Sequence, residues 1–161
     1  MGVTLDGIAK GYIADRMSAV LTACGVENHL VNAGGDIASH GCKAPGMPWR
    51  VAVQSPSVRA AYCGTLSLSG GAVATSGGYE IYYDASRRHH HLVAPASGAS
   101  PALGSVSVTA ATAMEADALA SAFSVLPPSE VLRLVRRMPG RECGIVAADG
   151  RRFASEGWVW A

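Results

Sequence analysis

A chain of 161 residues, 49% hydrophobic and 16% charged, is long enough to bury a core without disulfide staples and too apolar to be disordered. Its net charge is +1, and it lacks a basic stripe, an acidic block and base-stacking aromatic interleaving, which excludes the footprint of a nucleic-acid-binding protein. No apolar run reaches membrane-spanning length, since the stretch 110–126 is broken by Glu115 and Asp117, and no basic segment followed by an apolar one marks a signal peptide.

In chain order, residues 7–24 predict a helix. Ile8, Tyr12, Met17, Val20, Leu21 and Cys24 recur at helical spacing, Gly25 suits the residue past its end, and Asp6 or Thr4 is placed to cap its start. A short strand over 27–32 runs into Ala33-Gly34-Gly35-Asp36-Ile37, where paired glycines predict a turn with unusual backbone angles. Strands are expected over 49–54, 62–68, 72–75, 79–83 and 90–93, punctuated by Gly70-Gly71 and Gly77-Gly78, and another over 105–109. An Ala-rich helix over 113–126 must stop at Pro127-Pro128, and a second, 129–138, starts with Ser129 as its expected cap. The basic face Arg133, Arg136 and Arg137 reads as solvated surface. A hairpin closes the chain, 144–147 and 152–160 joined through Asp149-Gly150. Strands in blocks with helices before and after predict an α+β fold, a largely antiparallel sheet with flanking helices in one domain over 1–161.

Familiar nucleotide and hydrolase motifs are absent: no P-loop, no Rossmann glycine spacing, no GxSxG elbow and no HExxH. Cys24, Cys42, Cys63 and Cys143 form no CxxC pair, so they read as buried or free thiols instead of a zinc or redox motif. Four other clusters carry chemistry. In Thr4–Tyr12 of the first helix, small residues expose backbone amides and carbonyls near a helix N-terminus, a place for a phosphate or metal; the early Lys10 opposes the macrodipole and asks for a reason. In Asn32-Ala33-Gly34-Gly35-Asp36-Ile37, the carboxylate could hold a sugar hydroxyl or an amide, or simply make an Asx turn. In His89-His90-His91 a strand would put His89 and His91 on one face and His90 on the other, and histidine is the natural base near neutral pH. Asp117 and Ser121, four apart on one helix face, are hard oxygen ligands of the kind Mg²⁺ takes.

Together, TLDGIAKGY, NAGGDI, ATSGGYE, HLVAPASG and SVSVTAATAMEADALAS resemble, in order and spacing, the signatures of the ApbE family of FAD:protein FMN transferases, from Thr4 to about Leu126. The resemblance implies transfer of the FMN half of FAD to a Thr or Ser of a target flavoprotein, with release of AMP and dependence on Mg²⁺. It maps the metal ligands to Asp117, Ser121 and the Gly7 carbonyl. Lys10, Asp36, the Leu92 backbone and Thr4 fall around FAD, and His91 falls on the histidine that activates the acceptor hydroxyl. It also implies an exported, periplasmic location, and a substantial N-terminal portion of the family that this chain, whose first motif begins at Thr4, is expected to lack. Thr4 stands where the family has aspartate, as in the subgroup associated with nitrous oxide reductase maturation. Ala94 stands where the family has a second carboxylate, and Ser121 replaces the commoner threonine. The same residues accommodate two other readings, an FAD pyrophosphatase with water as acceptor and a non-catalytic flavin-binding accessory protein.

Overall fold

The computed structural model describes residues 4–58, 60–79, 82–86, 89–101 and 103–160. The expected strand over 79–83 includes residues 80 and 81, and the ATSGGYE segment ends on Glu80; these lie outside the described residues. Helix α1 (Asp6–Ala23) is followed by strands β1 (His29–Ala33), β2 (Asp36–His40), β3 (Trp49–Gln54), β4 (Tyr62–Leu68), β5 (Gly71–Gly77) and β6 (Leu103–Ala110). Helices α2 (Ala113–Ser124) and α3 (Pro128–Val135) then precede β7 (Glu142–Ala147) and β8 (Arg152–Ala154). All pairings are antiparallel. Six strands form one sheet in the order β1-β2-β5-β6-β7-β8, and β3-β4 forms a separate ribbon.

Strand alternation sorts side chains between three layers. On one face of the sheet, Ala74, Val106, Val108 and Ile145 pack with Phe123 of α2 and Val131 of α3. On the other face, Ile37, Val73 and Val146 meet Val53, Leu66 and Leu68 of the ribbon, with Trp158 closing the cluster. Helix α1 lies over β1 and β2 through Ala14, Val31, Ala38 and Ala72, and touches the start of α2 at Ala113. No helix among the described residues is long and apolar enough to cross a membrane.

Local sequence explains several boundaries. Helix α1 ends in a Schellman turn: Gly25, at φ 82°, donates to the Thr22 carbonyl and Val26 to the Leu21 carbonyl. The β1–β2 hairpin turns on Gly34 and Gly35, both at positive φ, and the Gly35 amide donates to Asn32 Oδ1. Helix α2 starts at Thr112, whose hydroxyl accepts from the Glu115 amide.

Four expectations are corrected. Neither Thr4 nor Asp6 caps α1: Leu5 occupies the cap position without a side-chain bond, and Asp6 falls in the first turn. The buried face of α1 is Gly11 and Ala14, while Tyr12, Met17 and Val20 are exposed, because close approach to α2 selects the smallest side chains. Ser129 does not cap α3, which begins with Pro128 behind an extended Pro127. Residues 90–93 are not a strand: a single bridge, Tyr82 to His90, is followed by a bend and a turn closed by Gly98 N–H on the Ala94 carbonyl. The alternation expected there still holds for the side chains, with His90 buried and both His89 and His91 exposed. All four cysteines are free, and the basic residues of α3 and its end are exposed, as expected.

Candidate functional site

The N-terminal end of α1, the middle of α2 and the end of β5 converge because α1 and α2 are locked together. Asp15 of α1 accepts from the first two amides of α2, Ala113 at 2.8 Å and Met114 at 2.9 Å. This satisfies orphan donors at the α2 N-terminus with a carboxylate favoured there by the helix dipole. Gly11 faces the Ala113 carbonyl so closely that a Cβ would collide with it. One turn further into α2, Asp117 is only 5% exposed and accepts from the Gly11 amide at 3.1 Å. Ser121 follows on the same face, its hydroxyl 3.1 Å from that of Ser76 on β5, and a methyl group on Gly7 would stand 3.8 Å from Ser121 Oγ.

Lys10 has its reason here. Its side chain, 55% exposed, brings the ammonium to Asp36 Oδ2 at 2.6 Å, and the Asp36 side chain is 1% exposed at the start of β2. The contact gives the buried carboxylate both a charge-assisted hydrogen bond and a compensating charge. Burial raises Asp36 above the usual carboxylate range, against the pull of the Lys10 ammonium. Asp117 is also raised, first by burial; the Gly11 amide opposes this, the Asp36 charge reinforces it, and Lys10 opposes it.

These groups surround one cleft of about 920 Å³. Thr4, Gly7, Lys10, His91, Leu92, Asp117 and Ser121 all line it, and Asp36 sits behind Lys10 at its edge. Eight residues chosen from motifs far apart in sequence therefore meet at one place. The volume is that of a small-molecule or cofactor site, with few charged groups among mixed polar and apolar walls. The motif-based reading missed Ser76 and Thr75, whose signal was present in the TSG of β5. It also missed Val51, Val53 and Gln54 of β3 and Tyr62 of β4, which line the same cleft. No local signal marks those wall residues, because they reach the cleft only when the ribbon folds over the sheet.

Chemically, the cleft lining brings together the Asp117 carboxylate, the Ser121 hydroxyl, the Lys10 ammonium and the exposed His91. No group of three or more His, Cys, Asp and Glu side chains among the described residues is placed to hold a metal ion. A metal at Asp117 would therefore draw on Ser121 and main-chain oxygen near Gly7. That hard, oxygen-only donor set suits Mg²⁺ and not zinc or copper.

Known proteins resemble this chain in sequence and in fold. A family model described as the ApbE family matches residues 1–145. The FAD:protein FMN transferase of Escherichia coli K12 is 36% identical over 155 residues, covering 94% of this chain and 44% of that protein. The Treponema pallidum protein of the same name is 33% identical, covering 99% of this chain and 47% of its own length. The chain thus spans about half the length of the curated relatives it matches. Among solved structures, the ApbE protein of Thermotoga maritima superposes with a TM-score of 0.87 at 33% identity, over 96% of this chain and 51% of that one. The apo flavinyl transferase ApbE of Pseudomonas stutzeri gives 0.77 at 32%, over 94% of this chain and 48% of that one.

Proposed function

The chain belongs to the ApbE family, and from that premise we propose that its cleft transfers the FMN half of FAD to a threonine or serine hydroxyl of a target flavoprotein and releases AMP. The observation that carries this reading is the convergence of His91, Lys10, Asp117 and Ser121 on one FAD-sized cleft. The acceptor hydroxyl gives its proton to the His91 imidazole. Its oxygen forms a bond to the FMN phosphorus while the bond from that phosphorus to the bridging oxygen breaks. AMP leaves with the bridging oxygen. General-base help of this kind is typically worth ~10²–10⁴-fold.

Asp117, Ser121 and the Gly7 carbonyl would hold Mg²⁺, which when bound offsets the negative charge on the pyrophosphate and on the departing AMP. Lys10 adds a positive charge beside the same phosphates, held in place by Asp36. The remaining acceleration comes from fixing FAD and the hydroxyl in line. Thr4, which also lines the cleft, contributes a hydroxyl toward FAD.

The test is to measure AMP and FMN release from FAD with and without Mg²⁺, in the presence of a threonine-containing flavinylation target. The proposal expects Mg²⁺-dependent AMP release with flavin fixed to the target, and loss of both in Asp117→Ala. AMP accompanied by free FMN would replace the transferase with an FAD pyrophosphatase. No AMP from a folded chain that still binds FAD would make it a flavin-binding accessory.

A further inference from the structure

We propose that His90, the residue before the candidate base, is a positioning residue that sets the orientation of His91 and Leu92 in the cleft. The inference rests on the reading of His91 given above, and it concerns a side chain that does not line the cleft. In a segment whose neighbours His89 and His91 are exposed, His90 is 6% exposed.

Every polar atom of this residue is used. Ring Nε2 lies 3.0 Å from the Pro101 carbonyl, which can only accept, so Nε2 carries the proton. Ring Nδ1 lies 3.3 Å from the Leu92 amide, which can only donate, so Nδ1 presents its lone pair. The two bonds define a neutral imidazole in the Nε2–H form. The His90 amide donates to Ser100 Oγ at 2.9 Å, and that hydroxyl donates to the His90 carbonyl at 3.0 Å. His90 also bridges to Tyr82, and the Tyr83 amide donates to the His89 carbonyl at 2.8 Å.

Space is reserved for the ring. A Cβ on Gly78 would come within 2.5 Å of His90 Nε2, so the second glycine of the Gly77-Gly78 pair serves to admit the imidazole. The His90 and His91 rings meet edge to face, 6.1 Å between centroids and 65° between planes. His91 is therefore held between a backbone anchored on its N-terminal side by Ser100 and a following amide, that of Leu92, tied back to His90. The Leu92 bond works as an Asx turn does, a side-chain acceptor on one residue capturing the amide two residues on. Since Leu92 itself lines the cleft, one imidazole fixes both the base and the main chain beside it.

Three variants of the 161-residue chain separate these roles. His90→Asn retains an acceptor for the Leu92 amide, His90→Gln retains a donor toward Pro101, and His90→Leu retains neither. The first readout is the His91 imidazole nitrogen spectrum by two-bond ¹H–¹⁵N NMR. The second is kcat and KM for FAD in the transfer assay. We expect His90→Leu to shift the His91 signals and lower kcat ~10–100-fold, with KM for FAD changed by less than about threefold, the cost of misplacing a reacting group. His90→Asn restores the His91 spectrum and most of kcat, and His90→Gln does not. Unchanged His91 signals in His90→Leu, or Asn and Gln variants that behave alike, overturn the proposal. If His90→Leu does not fold, the Asn–Gln comparison decides by itself. A parent chain that releases no AMP would refute the transfer reading, while the spectra would still judge His90.

Discussion

The Gly11 amide of α1 donates to Asp117 Oδ2 of α2 at 3.1 Å, joining residues 106 apart in sequence. Through this bond the first motif of the chain orients the carboxylate of the last. The bond forms only because Gly11 has no side chain to separate the two helices.

Gly11→Ala should accordingly destabilise the fold, although alanine is the better helix former. The added methyl collides with the Ala113 main chain, which cannot swing away as a flexible side chain could. Overpacking of this kind costs ~1–3 kcal/mol, and each kcal/mol lowers Tm by ~2–4 °C in a domain of this size. Thermal unfolding measures it; a Tm equal to or above the parent's would show that α1 and α2 tolerate separation.

Asp15→Ala removes both acceptors from the start of α2 and leaves the Ala113 and Met114 amides without that partner. Losses at helix N-termini run to ~0.5–2 kcal/mol, and a urea midpoint lowered accordingly is expected. Because Asp117 and Ser121 ride on α2, the variant should also bind FAD more weakly. A drop in stability with unchanged FAD affinity would confine Asp15 to a structural role.

His91→Ala should lower the rate of FMN transfer by ~10²–10⁴-fold while FAD affinity changes little. Calorimetry for binding and AMP release for turnover separate the two. An equal loss in both would remove the proton-accepting role, since a base that only receives a proton in the reaction contributes little to ground-state binding.

Cys143 is fully buried, and burial pushes its thiol up from about 9 to about 11, with the Ser155 bonds opposing and Glu142 assisting; Cys63 is raised too, also by burial first. Thiolate is the reactive form. A disulfide reagent at neutral pH should label Cys24 and Cys42 rapidly and Cys63 and Cys143 only on unfolding. The linkage has a definite sign. Between about 9 and about 11 the folded state keeps a proton on Cys143 that the unfolded chain releases. Stability at Cys143 is therefore retained below about 9 and lost as pH rises toward about 11. Urea midpoints across that window, compared between the parent and Cys143→Ala, check it: the parent should show the steeper decline.

Much of the molecule is legible in its residues. Glycine and proline punctuation and strand alternation report local backbone preference, which acts over a few residues. That is why β3 and β4 are found where they are expected, why α2 halts ahead of Pro127, and why Gly34-Gly35 turns a hairpin. Motifs and the family resemblance also pointed to His91, Lys10, Asp117 and Ser121, which the structure brings to one cleft. The buried face of α1 was not legible. Tyr12, Met17 and Val20 look like a core stripe, but the packed face is Gly11 and Ala14, chosen by how close another helix must come. Nor was the irregular backbone at 90–93, where a side chain captures an amide that a strand would pair across a ladder. The ribbon residues that line the cleft, the Lys10–Asp36 contact and the choice of His90 as the buried member of the histidine run were decided by the tertiary structure alone. They depend on burial and distance between segments remote in sequence, and those quantities come into being only when the sheet, ribbon and helices pack.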